Sequence, residues 1–353
     1  MNHNFFEFYG FSISFIVIII RKRPTGGFMA QIIFYILIGL MIFQAIMLVR
    51  DVVTHRDDLG PGNWLISGII GFIADFADTI GIGSFALTTM MLNVTKQNTD
   101  DRKLPGILNV GHAIPVLTEA VIFVTVIKVD ALTLVALILA AIVGSWFGSR
   151  YVTKLSETAV QKWIGWALLI TAILMLLRQT EVIALLGKGN TAMGLSGGKL
   201  VIGIIGNFLF GALMTVGVGL YAPCMAMVYM LGMTPLAAFP IMMCSCAGLQ
   251  PVASINFIRE KAYSRKIALA ITIGGIPGVI IASQFRHFNG HLFSYCYYFL
   301  YRYSIHSKIT ENGSGLNRSV YQKMVLYQYW YEAILFFYAA FTLMKGLDLF
   351  QNE

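Results

Sequence analysis

Charge is what this chain has least of. Asp, Glu, Lys and Arg together make up 12% of its 353 residues, against 57% hydrophobic residues and a mean hydropathy of +0.74. So little polar material cannot coat a soluble globule of this length, which excludes the soluble enzymes and binding modules and implies a polytopic membrane protein in contact with the lipid bilayer. Acidic residues are the scarcer sign, 17 against 25 Lys and Arg, for a net charge of +8. The basic surplus lies between apolar runs, where cytoplasmic loops hold it, so no nucleic-acid partner is expected. Cysteine is also sparse: Cys224, Cys244, Cys246 and Cys296 fit neither a zinc spacing nor a secreted disulfide framework and read as small buried residues. No metal and no cofactor are expected. Substantial soluble segments are missing too, which argues against an assembly or sensory component.

What is present is a series of apolar runs, predicting an all-α protein. At about 20 residues per crossing, runs are placed at 31–49, 64–92, 105–127, 131–149, 160–178, 200–231, 235–258, 267–285 and 330–348. Two of them, 64–92 and 200–231, are too long for one simple crossing. Each carries the same phrase near its middle, Thr79-Ile80-Gly81-Ile82-Gly83-Ser84-Phe85-Ala86 and Thr215-Val216-Gly217-Val218-Gly219-Leu220-Tyr221-Ala222. The offset between the copies is 217 − 81 = 136, and it persists from Asn109 to Ser245 and from Pro115 to Pro251. A duplicated module of about four helical segments is therefore expected, with a helix broken by glycine in each copy.

Loop charges bear on how the broken runs sit. If each is a re-entrant hairpin, the repeats are inverted, and Arg50 with Arg56, Lys96 with Arg102 and Lys103, Arg150 with Lys154, and Arg259, Lys261, Arg265 and Lys266 share the cytoplasmic face. The uncharged loop 232–235 then lies on the other face, together with Arg178, Lys188 and Lys199, which run against the tendency.

Unwound backbone is tolerated at membrane depth only where protein or a wet cavity satisfies it, so the two phrases are candidate binding segments. A half-helix start offers free N–H groups and partial positive charge to an anion. Gly81, Gly83, Gly217 and Gly219 would let a ligand approach the backbone, and Thr79, Ser84, Thr88, Thr89 and Thr215 would add hydroxyl donors. The preferred ligand is a small anionic substrate. The competing reading is that the glycines serve close helix packing alone.

Ionisable residues inside apolar runs are few. Asp75 and Asp78, three apart on one helix face, could take a coupled proton or cation or line the entry to the cavity; the alternative is that they lie near the interface, solvated or helix-capping. Asn109, His112 and Glu119 form a polar stripe along the next run if its helix continues through Pro115, where a kink is expected. His112 and Glu119 could titrate, and Asn109 could donate to an oxyanion; an internal network that merely locks helices is the alternative. No catalytic residue is assigned, although a membrane-embedded enzyme using His112 and Glu119 as acid and base is the second reading of function. Small-residue strips at Gly144, Ser145, Gly148 and Ser149, and at Gly274, Gly275, Pro277, Gly278, Ala282 and Ser283, predict close helix packing.

These motifs carry a resemblance. Gly81-Ile82-Gly83, Gly217-Val218-Gly219 with the run Tyr221 to Met227, Gly144-Ser145-Trp146-Phe147-Gly148-Ser149-Arg150 with Lys154-Leu155-Ser156-Glu157, and Gly274-Gly275-Ile276-Pro277-Gly278 resemble the TauE/SafE sulfite exporter family, also called the toluene-sulfonate uptake permeases, from about Trp64 to Phe285. The resemblance implies a two-repeat bacterial permease for sulfite, sulfonates or related organic anions, multi-pass in the plasma membrane, and not an enzyme. Ser84 and Leu220 stand where further glycine is common in that family, and Pro223 has no counterpart at Leu87, which bears on the substrate more than on the fold.

The expected organisation is an N-terminal extension and first span at 1–63, a first repeat at 64–186, a linker at 187–199 and a second repeat at 200–353 with an atypical segment at 286–330. Ten of the 16 tyrosines fall between Tyr295 and Tyr338, around the polar stretch His306 to Ser319. Near the other end, Phe11 to Ile20 followed by Arg21-Lys22-Arg23 does not read as a cleaved signal, and Met29 is a plausible alternative start. Direction of transport and oligomeric state are open at this level.

Overall fold

A computed structural model describes residues 28–80, 83–98, 100–123, 129–179 and 189–288. Among them every regular element is helical, apart from one isolated bridge between Ala192 and Met233. The helices are α1 (Phe28–Thr54), α2 (Trp64–Thr79), α3 (Ser84–Val94), α4 (Leu104–Gly111), α5 (Ala113–Phe123), α6 (Ala131–Val152), α7 (Glu157–Gln179), α8 (Gly197–Met214), α9 (Tyr221–Met230), α10 (Pro235–Arg259) and α11 (Arg265–Phe288). Six stretches among the described residues are long and apolar enough to cross a membrane. The expected run at 330–348, most of the segment 286–330, the Phe11–Ile20 stretch and Gly81 lie outside the described residues.

Local chemistry sets the helix ends. Asn63 caps α2 by accepting from the Leu65 and Ile66 amides, and Asp130 caps α6 by accepting from the Thr133 amide at 2.9 Å and its hydroxyl at 2.8 Å. Those two bonds hold the Asp130 carboxyl below the usual carboxylate range. Thr234 precedes α10, whose first residue is Pro235, where the missing N–H costs nothing.

Both long runs are interrupted where the glycine phrases predict. α2 stops at Thr79 and α3 starts at Ser84; α8 stops at Met214 and α9 starts at Tyr221. Gly83 has φ 94° and Gly217 has φ 117°, a region closed to side chains with a Cβ. The run 105–127 differs from expectation in one detail. It breaks at His112, between α4 and α5, rather than at Pro115, because the proline ring clashes with the carbonyl four residues earlier, at Gly111. α10 is continuous through both Pro240 and Pro251, so the proline matching Pro115 does not divide its helix.

Side-chain distribution is inverted relative to a water-soluble core. Leu65, Ile69 and Ile73 on α2, Leu139 and Phe147 on α6, and Val201, Ile205 and Leu209 on α8 face outward. Asp75, Asp78, Asn109, His112, Glu119, Asn207 and Gln250 are buried. Such an arrangement is stable in lipid, which solvates apolar surface and does not solvate carboxylates.

The two halves interlock reciprocally. α2 packs mainly on α11 and α8 mainly on α6, while α4, α5 and α10 occupy the middle. A Cβ on Gly278 would collide with the Phe72 carbonyl, and one on Gly144 with the Phe208 carbonyl. In both places a glycine lets its helix backbone meet the backbone of the facing helix.

Loops gather at two ends. At one, Lys266 N donates to Leu59 O, Asn63 N to Gln97 Oε1 at 2.6 Å, and Gln161 Nε2 to Asp101 Oδ2 at 2.8 Å. Arg265 there donates to Asp51 Oδ2 at 2.7 Å and to Asp58 Oδ2 at 3.1 Å, with Tyr263 donating to the same Asp51 oxygen. Burial and that bond to Asp51 push the Tyr263 phenol well up. At the other end, Asp130 N donates to Met193 O, Thr234 N to Ala192 O and Asn190 Nδ2 to Tyr229 O.

Candidate functional site

The polar centre is assembled around α4. His112 sits at the step between α4 and α5, fully buried, and both ring nitrogens are engaged: Nδ1 with Asp75 Oδ1 at 2.7 Å and Nε2 with Thr88 Oγ1 at 2.9 Å. An ionised carboxylate only accepts, so Nδ1 carries a proton toward Asp75, and in the neutral ring Nε2 accepts the Thr88 hydroxyl proton. One imidazole thereby ties α2, before the first break, to α3, after it. The geometry gives His112 the partner Asp75.

One turn earlier on α4, Asn109 faces the second break. Its Nδ2 donates to Pro105 O at 2.9 Å and reaches Thr215 O at 3.5 Å, and its backbone carbonyl accepts from Ser254 Oγ at 3.3 Å. Asn109 Oδ1 has no hydrogen-bond partner among the described residues. Gly217, in that break, lies against Leu108 and Ile164. α4 therefore stands between the two interruptions, with His112 on the first and Asn109 on the second.

Most of the hydroxyls expected to serve a ligand have their protons committed. Thr79 Oγ1 donates to Asp75 O, Thr89 Oγ1 to Phe85 O and Thr215 Oγ1 to Ala212 O, each within its own helix. Ser84 Oγ donates to Asp78 Oδ2 at 2.8 Å. Open space lies instead beside the backbone: a Cβ on Gly83 or Gly219 would meet nothing within 4 Å.

Asp75 and Asp78 are both buried within the protein. A Cβ on Gly275 of α11 would collide with Asp75 Oδ2, so the glycine makes room for the carboxylate. The matching place in the other half, Gly211 against Ala141, has no carboxylate and packs helix on helix.

Three residues that the sequence reading did not assign to the site belong beside it. The Tyr221 hydroxyl, at the start of α9, is buried without a hydrogen-bond partner among the described residues and lies within electrostatic reach of Asp78, Glu119, Cys246 and Asp75. Cys246 Sγ is 3.7 Å from Met214 Sδ, and Gln250, one turn on along α10, has both amide atoms buried without partners. Tyr221 was legible in outline, because it replaces Phe85 of the first copy and adds one polar atom at the same position. Gln250 carried no such signal.

No group of three or more His, Cys, Asp and Glu among the described residues could hold a metal ion. The family model described as Sulfite exporter TauE/SafE matches residues 15–177, which take in α2 to α6 and with them the first glycine break, Asp75, Asp78, Asn109, His112 and Glu119. Over residues 15–177 the chain is similar to the TauE/SafE family. That is a family of membrane permeases, and the helices are those of a multi-pass membrane protein. The match starts earlier than the motif resemblance, which begins near Trp64, and stops before the second glycine phrase. Neither the curated proteins nor the solved structures contain a match.

Proposed function

We propose that this protein is a bacterial plasma-membrane permease that moves a small anion, sulfite, a sulfonate or a related organic anion, by alternating access around a site between the two glycine breaks. The observation that carries the proposal is the placing of α4 between them, with Asn109 on one and His112 on the other. In this reading Gly81, Gly83, Gly217 and Gly219 supply backbone approach, Thr79, Ser84, Thr88 and Thr215 line it, and Asp75, Asp78, His112 and Glu119 carry protons. The pairs α2–α3 and α8–α9 act as re-entrant hairpins that enter from opposite faces, and the repeats are inverted. The bond from Asn63 to Gln97, which joins the start of α2 to the segment after α3, supports the first hairpin. Asn190 on Tyr229 and Ala192 beside Met233 support the second at the other end.

Flux of sulfite into proteoliposomes tests the proposal. Gly217→Leu is expected to abolish flux, because φ 117° excludes a Cβ, and Gly219→Ala to fold normally and lower flux by narrowing the backbone approach. Wild-type flux from both variants in correctly folded form would place the site elsewhere.

A further inference from the structure

The proposed anion site already contains an anion of its own. α3 begins at Ser84 after Gly83, which contributes no side-chain cap. A helix start of this kind presents unpaired N–H groups and partial positive charge. Asp78 reaches across the break to this start, where its carboxylate accepts from the Ser84 hydroxyl at 2.8 Å.

Nothing equivalent exists at the other break. The position matching Asp78 is Met214 (78 + 136 = 214), and α9 starts after Leu220 without a side-chain cap. There the Tyr221 hydroxyl has no hydrogen-bond partner among the described residues and lies within electrostatic reach of Asp78.

Among the described residues no Lys or Arg acts on Asp78, and the groups around it are acidic or neutral apart from His112. Asp75 faces it from α2 and His112 from the α4–α5 step, while Tyr221 on α9 and Cys246 on α10 lie within electrostatic reach of both Asp78 and Glu119 of α5. α3 has no titratable side chain, and those of α11 lie at its two ends, with Gly275 the residue against Asp75. Two anions cannot share one helix start at hydrogen-bond distance while both are ionised.

We propose that Asp78 is a built-in stand-in for the transported anion, displaced from the α3 start by the entering oxyanion and protonated as it leaves, so that anion and proton bind together. The proposal rests on the permease reading above. In the step, the hydrogen bond from the Ser84 hydroxyl to Asp78 Oδ2 breaks, the carboxylate takes one proton from bulk solvent, and the Ser84 hydroxyl and the free N–H groups of the helix start donate to the oxyanion instead. One negative charge and one positive charge enter together, so a monoanion leaves the net charge of the centre unchanged. Release of the anion on the far side reverses each transfer and returns the proton to water.

Calorimetric titration of detergent-purified protein with sulfite, in buffers of different ionisation enthalpy, counts the protons taken up. At about pH 8.5, where free sulfite is almost wholly the dianion, the wild type is expected to take up protons on binding, and Asp78→Asn to take up about one fewer per anion. Asp78→Ser, which removes the carboxylate differently, is expected to show the same loss and serves if the amide variant does not fold. Sulfite binding by the wild type without proton uptake overturns the inference and leaves the permease site standing, as does equal uptake by wild type and variants. Absence of sulfite binding by the wild type overturns both.

Discussion

A buried imidazole needs both of its nitrogens satisfied, and His112 meets that need only because α2 and α3 bring Asp75 and Thr88 to opposite edges of its ring. Thr88→Val keeps the shape and removes the hydroxyl, leaving Nε2 buried without a partner, at a cost of about 1–3 kcal/mol. Thermal unfolding in detergent is expected to show that loss, and Thr88→Ser to recover most of it. An unchanged midpoint for Thr88→Val would mean that the bond contributes nothing. Among these residues, Asn109 and His112 were legible as a pair from their spacing of three on an apolar run. The assignment of His112 to Asp75 was not, because the two are 37 positions apart and only the packing of α2 beside α4 and α5 joins them.

Glycine acts at element scale in two distinct ways. In the breaks it admits a backbone conformation, whereas on α6 and α11 it lets helix backbones touch. Gly144→Ala and Gly278→Ala each force a methyl group into a carbonyl of the facing helix, Phe208 or Phe72, and each is expected to destabilise the fold by about 1–3 kcal/mol. Gly39→Ala, on the open face of α1, is expected to be harmless. Thermal midpoints of the three variants check this; equal midpoints would show that the reciprocal packing of α2 on α11 and α8 on α6 is looser than described. The small-residue strips predicted close packing from composition alone. Their partners were beyond such reasoning, because a strip of glycines does not state which helix it receives.

For the whole molecule, the proposed inversion makes a prediction about sidedness. With the native cysteines replaced, Lys103→Cys and Lys261→Cys are expected to react with a membrane-impermeant maleimide from the cytoplasmic side, and Asn190→Cys from the opposite side. Labelling of all three from one side would refute the inverted arrangement. The loop charges pointed to which loops share an end, and the hydrogen bonds at Leu59, Gln97 and Asp101 agree with that grouping.

Composition and the spacing of glycines by themselves determined that this is an all-helical membrane protein with two interrupted helices. Those features follow from local rules: lipid demands apolar surface, a helix needs backbone hydrogen bonds, and glycine alone tolerates φ near 100°. Tertiary structure alone decided what stands inside the interruptions. Asp78 reaches the start of α3, Gly275 yields space to Asp75, and Asn109 reaches the carbonyl of Thr215, 106 residues away. The last two depend on the relative placement of separate helices, set by the packing of whole helices and not encoded in any short stretch of chain, whereas Asp78 and Ser84 stand only six residues apart.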